Sequence, residues 1–296
     1  MSFKNTPIPP AAQAAGMTNL VFADDFDSYD TIDLSGEGKP GYNWYTDRPY
    51  KFPTLTKEEL TLADSVLFMK PISCSSAIGL GTFSKKGNTG FTMHYGYAEA
   101  RIRAKMSTGK YDGVPAFWGI GKRDFVADDL FAWTDCGELD ILEINIEKND
   151  KGEDDMIYTG TTHHHHRNHA ERRPNGAPVQ TICTNLVNAL GYKKRDFVDE
   201  EWHTYAALWE KGHISWYMDN KLMHSARYTA DALPEYFYRD DPTPLPRLEE
   251  TASWAVGRTW VGGHTVMDEE EEVIILGCNF NWPMEVDWVR IWQKED

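Results

Sequence analysis

Basic residues are scarce in this 296-residue chain: 30 lysines and arginines stand against 46 aspartates and glutamates, for a formal net charge of −16. So acidic a molecule repels phosphate backbones and anionic headgroups, which sets aside nucleic-acid binding and adhesion to a membrane surface. The balance bears less on a polyanionic substrate, because local charge can oppose the net. Long apolar runs are missing too, with no stretch near the ~18 residues a membrane span needs, so no insertion is expected. Cysteine is sparse. Cys74, Cys136, Cys183 and Cys278 form no C-x-x-C pair, which argues against a zinc site and leaves two disulfides or free buried thiols equally open. Met1 to Ala15 is polar and rich in Pro and Ala, without the charged start and apolar run of a signal peptide. Helical patterns are few, with room for one short helix in the Pro-rich, acidic loop 231–250, and internal repeats and linker-like stretches are absent.

What is abundant is aromatic. Phe, Trp and Tyr make up 13% of the chain, including 11 Trp and 14 Tyr, a load that suits a β-rich core and the stacking of rings on sugars. Short apolar and β-branched segments recur between turn signals at Leu20–Asp27, Leu62–Met69, Ile78–Ser84, Gly96–Ala104, Val114–Gly121 and Val273–Cys278. Glu201–Glu210 and His213–Asn220 read as a hairpin about Lys211-Gly212, with a second turn at Asp219-Asn220-Lys221. The chain ends on an alternating strand, Glu285–Trp292. Residues 1–18, with Pro7, Pro9 and Pro10, read as an extended lead-in, and 19–296 as one domain. The pattern predicts an all-β fold, a β-sandwich or jelly roll. The acid run Asp268–Glu272 lacks the spaced ligands of an EF-hand loop and reads as solvated charge.

The chemistry concentrates in Trp133–Asn145. Glu138 and Asp140 share a face of a strand, while Glu143, three further on, would point the other way. One extra residue, a β-bulge at Ile141-Leu142, returns Glu143 to that face. Carboxylates in line repel one another, so folding alone does not ask for them. Glycoside hydrolysis does: one carboxylate attacks the anomeric carbon and a second, roughly 5–5.5 Å away in retaining enzymes, protonates the leaving oxygen. Asp140 between them can hydrogen-bond the nucleophile and hold the proton on the acid. Taken alone, the string also fits a solvated strand edge.

Its surroundings add candidates for sugar contact. Trp118 belongs to the apolar run expected beside the acid strand. Trp44 and Arg48 lie in a loop dense in Trp, Tyr and Asn, a candidate binding rim. His163 opens a run of four histidines that reads as a polar strand end, from which one side chain reaches a hydroxyl. Arg167–Arg173 and Lys193–Arg195 are the basic clusters, read as solvated loops that can rim one end of a cleft.

These segments, in this order, resemble glycoside hydrolase family 16 over roughly Leu20 to Gln293. The residues carrying the resemblance are Leu20-Val21-Phe22 with Asp25-Phe26-Asp27, Tyr95–Ile102, Pro115–Trp118, Glu138-x-Asp140-x-x-Glu143, Trp202–Tyr205 with Trp209, and Val286–Trp292. The family implies a concanavalin A-like jelly roll of two curved antiparallel sheets. It makes Glu138 the nucleophile, Asp140 its assisting acid and Glu143 the acid/base. In a cleft of that kind Trp118 and Trp133 are expected to stack on sugars near the cleaved bond, His163 to hydrogen-bond a hydroxyl, and Trp44 with Arg48 to bind further along the chain.

The bulged spacing and Trp133-x-x-Cys136-Gly137-Glu138, with Gly160-Thr161-Thr162-His163, are similar to the laminarinase branch, which implies an endo-β-1,3-glucanase. Thr134 in place of proline and the unusual strand Ile275–Phe280 keep a galactan-cleaving enzyme of agarase, porphyranase or carrageenase type as the alternative. A lectin-like module or a transglycosylase on the same fold is the rival of another class. The resemblance further implies a polysaccharide partner, a monomer, an extracellular or periplasmic setting, no cofactor for catalysis, and a structural calcium for which Asp287 is the candidate ligand.

Overall fold

The computed structural model describes residues 7–47, 58–70, 77–105, 114–126, 136–148, 151–165, 183–185, 199–227, 268, 270–279 and 282–295. Near the N-terminus are β1 (Asn19–Asp24), β2 (Ile32–Asp33), β3 (Trp44–Tyr45), β4 (Leu60–Ala63) and β5 (Val66–Met69). Next come β6 (Ala77–Gly81), β7 (Phe83–Ser84), β8 (Thr89–Gly90), β9 (Gly96–Ala104), β10 (Ala116–Gly121) and β11 (Cys136–Lys148). The second half holds β12 (Asp154–His165), β13 (Cys183–Asn185), β14 (His203–Glu210), β15 (His213–Met218), β16 (Lys221–Arg227), β17 (Glu272–Asn279) and β18 (Met284–Gln293).

Two eight-stranded sheets result. One runs β16-β15-β14-β9-β18-β5-β4, with β1 also paired to β18; the other runs β13-β12-β11-β10-β17-β6-β3-β2. Among the described residues, pairing is antiparallel apart from the short β2–β3 contact. The all-β sandwich expected from the pattern is therefore present.

Alternation explains the layering. On β9, Ala98, Ala100, Ile102 and Ala104 enter the main core cluster while Arg101 and Arg103 face out to Asp287 and Glu285. That cluster draws on residues from Phe22 to Ile291, so it joins both sheets and both ends of the chain. The outer face of the first sheet is covered in part by α1 (Pro10–Ala14), whose Ala12, with Met17, packs against Tyr97, Leu208 and Trp292. At Pro10–Ala14 the helix departs from the extended reading given to residues 1–18. Pro at the first helical position gives up an amide that would lack a partner anyway, and the alanines beyond favour the helix.

Two further differences have local causes. Leu62–Met69 is a hairpin rather than one strand, because Asp64 and Ser65 both take positive φ (52° and 56°) and turn the chain between β4 and β5. The run Asp268–Glu272 is not simply solvated. Asp268 accepts from Gly212 N (3.0 Å), Glu271 from Thr92 Oγ1 (2.8 Å) and Lys122 Nζ (3.2 Å), and Glu272 is buried at the start of β17. Glu270 lies 3.5 Å from Arg123 Nη2 on α2 (Lys122–Phe125) and 3.5 Å from Gly137 N on β11. The run ties the ends of β10, β11 and β17 together.

Candidate active site

The site begins with the register of β11. Against β12, Glu138 pairs with His163, Asp140 with Thr161 and Glu143 with Thr159, so three steps on β11 match two on β12. Against β10, Trp118 pairs with Asp140 and Phe117 with Leu142, and the extra residue appears again. The bulge thus sits at Ile141-Leu142, where the alternation required it. Leu139, Ile141, Leu142 and Ile144 all enter the core, while Glu138 and Glu143 are half-buried and Asp140 is buried between them. The strand presents three carboxylates in file on the side of the sheet away from the core.

The neighbours are set by the same register. Ile120 lies beside Glu138, Trp118 beside Asp140 and Ala116 beside Glu143. Trp118 is half-buried and packs against a separate apolar cluster of Phe83, Ile120, Phe125, Val273 and Ile275. Phe125 comes from α2 and would lie 3.3 Å from a Cβ on Gly81, so the small residue there makes room for the ring. On the other flank, Thr159 Oγ1 donates to the Glu143 carbonyl (3.1 Å) and accepts from Asn145 Nδ2 (2.8 Å). Thr159 and Asn145 were not among the sequence-derived candidates. Asn145 is two after Glu143, so parity past the bulge was the available signal.

The bulge is supported from beneath. Trp216 Nε1 on β15 donates to the Asp140 carbonyl at 2.8 Å, and Tyr158 OH donates to the Ile141 carbonyl at 3.0 Å, both in the buried interior. Burial pushes the Tyr158 phenol well above the ordinary tyrosine range, so it stays protonated and available as a donor. Nothing in the local sequence marks either residue as part of the site.

Not every expected residue gathers here. Trp44 is fully buried at the far edge of the sheet: its Nε1 donates to Asp24 Oδ2 (3.0 Å), Phe26 stacks on it and Phe22 meets it edge-on. It has no free ring face for a sugar, which corrects its assignment to the binding rim. A Trp with an inward polar partner beside two Phe residues packs the loop down instead. Asp287 on β18 accepts from Arg101 Nη1 at 2.6 Å through Oδ2. Among the described residues no group of three or more His, Cys, Asp or Glu is placed to hold a metal. Trp133 and Arg48 lie outside the described residues, and for His163 the structure gives the register alone.

Residues 56–267 match the family model for glycosyl hydrolases family 16. The chain belongs to that family. Curated relatives of this family 16 chain include a glucan endo-1,3-beta-glucosidase A1 from Niallia circulans, 24% identical over 98% of the chain and 39% of that protein. A beta-glucanase from Rhodothermus marinus is 27% identical over 67% of the chain and 57% of that protein. The chain thus spans between about two fifths and three fifths of the length of these relatives. Among solved structures, a laminarinase from Flavobacterium sp. UMI-01 superposes with a TM-score of 0.53 at 17% identity, covering 93% of this chain and all of that one. The laminarinase catalytic domain of Thermotoga maritima MSB8 gives 0.52 at 18% identity, covering 94% and 99%. At such identities these structures speak to the shared jelly-roll fold.

Proposed function

We propose that this chain is a retaining endo-β-1,3-glucanase of the laminarinase type. The observation that carries the reading is the bulge that sets Glu138, Asp140 and Glu143 on one face of one strand. Paired glutamates on one strand supply the two groups that a retaining mechanism uses. Glu138 attacks the anomeric carbon and forms a glycosyl-enzyme ester while Glu143 gives its proton to the departing oxygen. Glu143 then takes a proton from water, which attacks the ester and frees Glu138. Buried Asp140 shares one proton with the nucleophile in a hydrogen bond, and the single negative charge left on that pair favours the protonated form of the acid. Trp118 offers a ring beside the reacting centre, and His163 is assigned to a substrate hydroxyl on sequence grounds. Trp133 and Arg48 are assigned to sugar binding on sequence grounds. The name of the Niallia circulans relative supports a β-1,3-glucan substrate, and that of the Rhodothermus marinus relative supports a β-glucan.

The test is reducing-end release from laminarin, mixed-linkage glucan, agarose, porphyran and κ-carrageenan, with E138Q alongside. Laminarin should be cleaved and E138Q should lose at least about three orders of magnitude in kcat, the cost typical of removing a nucleophile. Release from a galactan alone would move the substrate and keep the mechanism. Near-normal hydrolysis by E138Q would sink the assignment.

A further inference from the structure

A β-bulge sets two residues against one on the neighbouring strand, so its backbone groups cannot all join the ladder. Here the carbonyls on the inner side of the bulge, those of Asp140 and Ile141, each receive a side-chain donor from the core. The Asp140 donor comes from the opposite sheet. Trp216 lies on β15, is almost wholly buried, and its indole N–H reaches across the sandwich to the middle residue of the acid file. The approach depends on Gly160, the residue of β12 between Thr161 and Thr159 and hence the one facing the doubled pair. A Cβ on Gly160 would stand 2.5 Å from Trp216 Cδ1 and 2.8 Å from Nε1. The missing side chain and the long aromatic donor thus fit one another, directly under the bulge.

We propose that Trp216 is a positioning residue for this site: its indole N–H, admitted by Gly160, holds the bulge that keeps Glu143 level with Asp140 and Glu138. The proposal rests on the reading that Glu138 and Glu143 work as a pair. It makes a sheet that touches no substrate part of the catalytic geometry. Tyr158 holds the next carbonyl in the same way and completes the brace.

The discriminating variant replaces Trp216 with 3-benzothienylalanine, which keeps the bicyclic shape and substitutes sulfur for the N–H. W216F and G160A accompany it, the latter pushing the indole away. With laminarin as substrate, kcat in the isostere should fall on the order of 10- to 100-fold, as a misplacement near 1 Å does. KM should change by less than about threefold, since the binding surface is untouched. Amide exchange at Leu142–Asn145 should accelerate at least about tenfold while β9 and β18 keep their protection. W216F and G160A should show the same pattern.

Wild-type kcat and exchange in the isostere would overturn the proposal. So would a loss seen only in W216F and spread over both sheets, because that reports packing. If the unmodified protein cleaves no polysaccharide, or E138Q stays active, the functional reading fails while the exchange measurement still decides the brace.

Discussion

At the scale of single residues, the fold uses its polar groups as ties between segments. Asp24 accepts from Phe26 N (2.8 Å), Asn43 Nδ2 (2.9 Å) and Trp44 Nε1 (3.0 Å), fixing the end of β1 to the loop entering β3. Trp44→Ala should therefore cost about 3–5 kcal/mol of stability, the range for a fully buried aromatic. It should leave KM per folded molecule unchanged, and urea unfolding with laminarin kinetics checks both. His203 lies between Asp219 Oδ2 (2.7 Å) and Asp199 Oδ1 (2.9 Å). The Asp219 hydrogen bond raises its pKa above 6.5 against the pull of burial, with help from Asp199. A raised folded-state value means the stabilisation is complete below pH 6.5 and is lost as pH rises through the folded pKa. H203Q should flatten the fall of Tm over that window. Buried Glu99 is pushed up to about 7, chiefly by burial and further by Asp219, with Arg290 pulling it back. Its ionisation costs stability as pH climbs from 4.5 to about 7. E99Q should therefore be more stable than the parent at pH 8, on the order of 1–3 kcal/mol, and indistinguishable near pH 4.

At the scale of elements, β11 carries most of the meaning. Its bulge was legible in the sequence because Glu138, Asp140 and Glu143 could share a face only with one residue inserted, and both neighbouring ladders show it. What braces the bulge was not legible. Trp216 lies 76 residues from Asp140 along the chain, and its inward parity matches that of any core residue. Trp44 misled for the opposite reason, since a Trp among Tyr, Asn and Arg looks the same whether its ring faces sugar or core. The bulge also predicts how the strand tolerates shortening. Deleting Leu142 restores simple alternation and leaves the flanking pairs Asp140–Thr161 and Glu143–Thr159 in register. Deleting Leu139 instead turns the residues on one side of the gap to the wrong face. The first variant should fold with a loss of about 2–5 kcal/mol, as expected for a buried Leu, and the second should not fold. Circular dichroism and thermal melts separate them.

At the scale of the whole molecule, the alternation in β9, β14 and β18 made a sandwich legible, while the strand order was not, because it depends on pairings far apart in sequence such as β9 with β18. Short turns were also hard to place, as the β4–β5 hairpin and α1 show. The net charge of −16 has its own consequence. A neutral glucan feels no long-range field, so kcat/KM on laminarin should change by less than about twofold between 10 and 300 mM salt. A sulfated substrate would respond strongly as screening shortens the range of repulsion.

In the proposed mechanism two glutamates, aligned by one inserted residue, work in succession on the same sugar. Proton NMR of the first reducing ends released from laminarin tests it most directly. The account predicts the β-anomer, appearing before mutarotation, as a double displacement requires. An initial α-anomer would mean a single displacement by water and would contradict the roles given to Glu138 and Glu143.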